Sequence, residues 1–149
     1  MNNSQIPPFS SSGGAGYLIV RVSTALGAIP LEDALVTIWG ADQERSDVIY
    51  SLRTNSSGIT EKVSLPAPNI KETEVPGYPR PYALYNVDVS KSGYLPLRLE
   101  SVAIFDSVTS IQPAVMIPLT HTKYADSLTV KEDTSPSDAQ RSKTGGGRP

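Results

Sequence analysis

The sequence predicts an all-β protein, a seven-stranded antiparallel β-sandwich. Two observations lead there. The middle of the chain alternates apolar and polar residues with period two, and the breaks between the alternating runs carry turn chemistry.

In the first run, Tyr17 to Ser23, the residues Leu18, Val20 and Val22 share one face, and Arg21 and Ser23 share the other. Ala34, Val36 and Ile38 then alternate with Leu35, Thr37 and Trp39. Val48, Tyr50 and Leu52 alternate with Ile49, Ser51 and Arg53. A short run follows from Ile59 to Leu65. Tyr85, Val87 and Val89 alternate with Asn86, Asp88 and Ser90, and Leu95, Leu97 and Leu99 with Pro96, Arg98 and Glu100. Ile111, Val115, Ile117 and Leu119 make a last strand, interrupted by Pro113 and Pro118, which suit a sheet edge or a bulge. This alternation turns one face of each strand to a core and the other to water, so Val36 and Val87 point inward and Arg98 outward. Apolar residues three and four apart, the mark of a helix, form no convincing stretch.

The punctuation agrees. Asn55-Ser56-Ser57-Gly58 is a turn in which Gly58 supplies positive φ. Ser92-Gly93 is a second tight reversal. Gly27 to Asp33 is a loop carrying Pro30. Pro66 to Pro81 holds five prolines, so it reads as an extended surface connection.

The chain of 149 residues divides by composition into three parts. Residues 1–15 are rich in Asn, Ser, Pro and Gly and read as a flexible arm. Residues 16–120 carry the sandwich. Residues 121–149 are polar, end in Gly-Gly-Gly-Arg-Pro, and read as a disordered tail. A formal net charge of −2 gives no basic footprint for nucleic acid. Without cysteine, disulfides and thiolate metal sites are excluded. No apolar run is long enough to span a bilayer, and the first dozen residues lack the pattern of a secretory signal, so the expected location is cytoplasmic.

The residues offer little chemistry. One histidine, His121, follows the last strand, and no Gly-x-Ser-x-Gly elbow accompanies it. The adjacent acids Glu32-Asp33 and Glu132-Asp133 read as solvated charges. No catalytic, cofactor-binding or metal-binding residue is expected, and no cofactor. Two features suit binding instead. Trp39 lies on the outward face of its strand, and an exposed Trp is a common contact anchor. Tyr78, Arg80 and Tyr82 lie in the proline-rich stretch Val75 to Tyr82, which can dock as an extended ligand or pack on its own sheet. The expected partner is a protein, and open sheet edges offer a route to homo-oligomers.

Several of these segments, taken in order, resemble a known family: Gly16-Tyr17-Leu18-Ile19-Val20-Arg21-Val22, then Ala28-Ile29-Pro30-Leu31-Glu32-Asp33-Ala34-Leu35-Val36, Thr54-Asn55-Ser56-Ser57-Gly58, Tyr85-Asn86-Val87-Asp88-Val89 and Ser92-Gly93-Tyr94. The pattern resembles the carboxypeptidase regulatory-like (transthyretin-like, or prealbumin-like) domains, and implies a Greek-key sandwich over roughly residues 16–119. Asn55 stands where that family commonly has Asp, and makes the same local backbone bonds. Leu65-Pro66-Ala67-Pro68, Pro81 to Tyr85, and Val102-Ala103-Ile104-Phe105 look like the domain accompanying spore cortex-lytic proteins. That narrower resemblance implies a spore or cell-envelope setting, with a peptidoglycan hydrolase as partner. The related hydroxyisourate hydrolases use several histidines and a C-terminal Tyr-Arg-Gly-Ser, and neither occurs here.

Overall fold

The computed structural model describes residues 13–41, 47–74, 76–77, 80–121 and 128–132. Strand β1 spans Gly14–Thr24, β2 Ile29–Pro30, β3 Leu35–Gly40, β4 Val48–Arg53 and β5 Val63–Ala67. A single helical turn, α1, covers Ile70–Thr73. Then come β6 at Tyr82–Ser90, β7 at Leu97–Phe105, β8 at Thr109–Val115 and β9 at Leu128–Lys131. Two mixed sheets pack as a sandwich. One has β1 paired with β2, β5 and β8, and the other runs β4-β3-β6-β7-β9.

The alternation reads out as burial. Leu18, Val20 and Val22 of β1, Val36 and Ile38 of β3, and Val87 and Val89 of β6 are each at most 1% exposed. Leu65 of β5, Ile104 of β7, Ala114 of β8 and Met116 just after β8 close the same core. Two tyrosines tie the sheets together. The Tyr85 hydroxyl donates to the Pro66 carbonyl, and the Tyr50 hydroxyl to the Ser64 carbonyl at 2.9 Å. Burial pushes the Tyr85 hydroxyl well above the usual tyrosine range.

The turn after β4 is built as its residues require. Asn55 Oδ1 accepts from the N–H groups of Ser57 (2.9 Å) and Ile59 (3.1 Å), and Gly58 takes φ +76°. Beside it, the buried Thr54 hydroxyl donates to the Leu31 carbonyl and accepts from the Ala34 N–H. That threonine fixes the loop before β3 against the strand that leaves β4.

The structure departs from the sequence reading in four places. The described residues form nine strands rather than seven. Strand β2 is a two-residue pairing with the end of β1, too short to show periodicity. Strand β9 lies inside the segment read as a tail, and β1 begins at Gly14, inside the segment read as an arm. Two pairings are parallel, β1 with β8 and β7 with β9, because alternation sets which face is buried and carries no information on direction.

The fourth departure concerns the last strand read from the sequence. Strand β8 ends at Val115, and Ile111 and Val115 are 52% and 38% exposed. Parallel register places Ala114 beside the buried Val22 and Ile111 beside Ile19. The small Ala114 therefore faces the core, and the larger Ile111 faces out. Among the described residues β8 pairs with β1 alone, so Pro113 sits on an edge strand there.

Candidate functional site

The outer face of the five-stranded sheet divides into a polar and an apolar half. In the polar half, β3 places Thr37 opposite Asp88 of β6, and Asp88 lies opposite Arg98 of β7. Arg98 donates to both carboxylate oxygens of Asp88, from Nε at 2.6 Å and from Nη2 at 2.8 Å. This fork-to-carboxylate pair holds the guanidinium in its charged form.

Toward the other end, pairing sets Leu84 opposite Ala103 and Tyr82 opposite Phe105. These four residues alternate with the core residues Tyr85, Val102 and Ile104, so they project outward. The Tyr82 and Phe105 rings meet at 5.4 Å between centroids, tilted by 53°. The Arg80 guanidinium lies 5.7 Å from the Tyr82 ring centre, within range of a cation–π contact. Both rings are half-buried, and Arg80 is exposed.

Trp39 belongs to this face through β3, where it lies opposite Asn86 and next to a shift of register against β4. It is half-buried. Its indole N–H is buried and has no acceptor among the described residues. Of the residues expected to contact a partner, Arg80 and Tyr82 come together, and Trp39 shares their sheet face. Tyr78 lies outside the described residues. Phe105 completes the aromatic pair. Its signal was the alternation Val102-Ala103-Ile104-Phe105, which continues β7 past a bulge at Ser101 (φ +64°). There the side-chain carbonyl of Asn86 accepts from the Ser101 N–H at 3.1 Å.

A second cluster is structural. Asp106, at the corner between β7 and β8, accepts from the N–H groups of Ile70 (3.0 Å) and Ala15 (3.1 Å) and from the Ser107 hydroxyl (3.2 Å). It thus joins the start of β1 and the start of α1 to the corner. The Ile70 N–H first, helped by Ala15 and Ser107, holds its carboxyl below the usual carboxylate range. A carboxyl depressed in the folded state adds stability above that range, and the contribution is lost as pH falls through it. Asp106→Asn is therefore expected to flatten part of the fall in denaturation midpoint between about pH 5 and pH 2. Urea melts at a series of pH values check this, and parallel curves for the two proteins would contradict it.

His121 closes a 3-10 turn, Leu119–His121, after β8. Among the described residues, no group of three His, Cys, Asp or Glu is placed to hold a metal ion. No described helix is long and apolar enough to cross a membrane. Asp33, one of the adjacent acids, reaches Arg53 at 3.5 Å in an exposed pair.

No family model matches this chain, and no curated protein matches it in sequence. Solved structures do match in shape. A catechol 1,2-dioxygenase of Acinetobacter is 14% identical with a TM-score of 0.50, over 85% of this chain and 61% of its own. A minor pilin of Streptococcus agalactiae is 17% identical with a TM-score of 0.47, over 76% of this chain and 48% of its own. The TIE protein of Bacillus anthracis is 12% identical with a TM-score of 0.45, over 70% of this chain and 17% of its own. The chain spans less than two thirds of each of these proteins. At such identities the likeness to the dioxygenase concerns the fold alone, and with the two packed sheets it establishes this chain as a β-sandwich domain.

Proposed function

We propose that this chain is a non-catalytic interaction module of the carboxypeptidase regulatory-like kind, which offers the apolar half of its five-stranded sheet to a protein partner. One observation carries the reading: Arg80, Tyr82 and Phe105 meet in series on the outer face of the sheet. Aromatic and arginine side chains dominate the binding energy of protein interfaces, because they bury large areas at low entropy cost. Fixed strands add pre-organisation. The companion role beside a peptidoglycan hydrolase rests on the sequence resemblance alone.

The test is quantitative capture with wild-type protein, the Arg80→Ala/Tyr82→Ala double variant and Arg98→Ala, followed by titration of the purified captured protein. Wild type and Arg98→Ala should retain the same partner, and the double variant should bind it at least about tenfold more weakly. Equal retention by all three counts against this face. Turnover of an ester, amide or glycoside that His121→Ala abolishes would overturn the non-catalytic reading.

A further inference from the structure

The sheet that carries this face ends in β9, a strand of four residues. Among the described residues β9 pairs with β7 alone, in parallel, with Leu128 beside Leu97, Thr129 beside Arg98, Val130 beside Leu99 and Lys131 beside Glu100. The Glu132 N–H donates to the Glu100 carbonyl at 2.7 Å and extends the ladder by one step. Val130 packs against the core, whereas Thr129 and Lys131 are exposed.

Without β9, the free N–H and C=O groups of β7 would lie beside Leu97 and Leu99, which are 3% and 2% exposed. Such an edge is a template for another strand. What fits it is shown by what fills it: an extended segment run parallel, an apolar residue beside Leu99 and a cation beside Glu100. This is the recognition mode in which backbone bonds give affinity and alternate side chains give register. Every copy of the chain carries one such segment, and a short strand at a sheet edge is an element that copies can trade at low cost.

We propose that the β7 edge is a strand-acceptor site, and that the Leu128–Lys131 segment of a second copy takes the place of the chain's own β9 to give a strand-exchanged dimer. This surface is separate from the aromatic half of the sheet, so the inference stands whether or not that half takes a partner. The chain's own segment competes with an effective concentration on the order of millimolar, so the dimer forms as the protein approaches that range.

Two measurements test it on the full chain. First, a labelled peptide with the sequence of residues 127–132 is titrated onto wild type and onto Val130→Asp, whose own segment is undocked by a carboxylate placed against the core. Val130→Pro undocks it by a backbone route, because its N–H, two residues before that of Glu132, points at β7, and circular dichroism confirms that both variants keep their strands. The peptide should bind each variant at least about tenfold more tightly than wild type, whose edge is filled. Equal binding to all three, or binding to none, overturns the acceptor site. Second, light scattering from about 10 μM to about 1 mM follows the dimer fraction. It should rise for wild type and stay at zero for Val130→Asp. A wild type that remains monomeric throughout, or a variant that dimerises equally, overturns the second copy as occupant.

Discussion

Leu18→Ala is expected to lower the unfolding free energy by about 3–5 kcal/mol. Leu18 is fully buried in the middle of β1. It pairs with Val63 of β5 on one side and Ser110 of β8 on the other. A strand held along both edges cannot move inward to fill the space left by a shortened side chain, so the cavity persists and its cost adds to the lost transfer energy. The contrasting substitution is Arg98→Ala. Arg98 is exposed, and although its bond to Asp88 is bidentate, water and salt screen it. Its loss should cost about 0.3–1 kcal/mol and less at high salt. Urea melts of the two variants side by side measure the difference. Equal costs would count against the inward face read from the two-residue period.

That period made most of the sandwich legible. Leu18, Val20 and Val22, then Val36 and Ile38, then Val87 and Val89, were separable from their neighbours by alternation alone, and all are core residues. The Asn55-Gly58 turn was legible because its bonds are local. Strand direction and register were not legible, and β8 shows the consequence. Ile111 and Val115 are the larger apolar residues of that strand, yet the register with β1 sets Ala114 beside the buried Val22 and turns them outward. Hydrophobicity marked the strand and misled about its face. Strand β9 was invisible for another reason. Four residues, of which Val130 packs against the core, set in a polar segment, carry too little pattern to register.

The candidate site divides in the same way. The placement of Trp39 on the outward face followed from alternation, whereas Arg80 and Tyr82 were read only as members of one proline-rich stretch, without their contact. The contact of Tyr82 with Phe105 depends on the β6–β7 register, which a bulge between Tyr85 and Val87 shifts. The Asp106 clamp joins groups 91 residues apart to Ala15 and 36 residues apart to Ile70. Neither is readable before the corner between β7 and β8 is placed beside the start of β1.

Gly58→Ala should destabilise the domain by about 2–5 kcal/mol, in two separable parts. Gly58 holds φ at +76°, where a side chain costs about 1–2 kcal/mol. The second part is collision. A Cβ at this position would stand 2.4 Å from the Val22 carbonyl oxygen and 3.0 Å from the Pro30 Cβ. That oxygen cannot retreat easily, because it accepts from the Leu31 N–H at 3.0 Å, while the Val22 N–H donates to the Gly58 carbonyl at 2.7 Å. Relieving the overlap means displacing β1 from the turn, at about 1–3 kcal/mol. Gly93 isolates the first part. It holds φ at +90° with open space where its Cβ would be, so Gly93→Ala should cost only about 1–2 kcal/mol. Gly58→Asn isolates the second part, since Asn accepts the left-handed conformation but still brings a Cβ. It should therefore remain well below wild type in a denaturant melt. If Gly58→Asn melted with wild type, the turn would be free to move away from β1, and the close approach of the two would contribute nothing to stability.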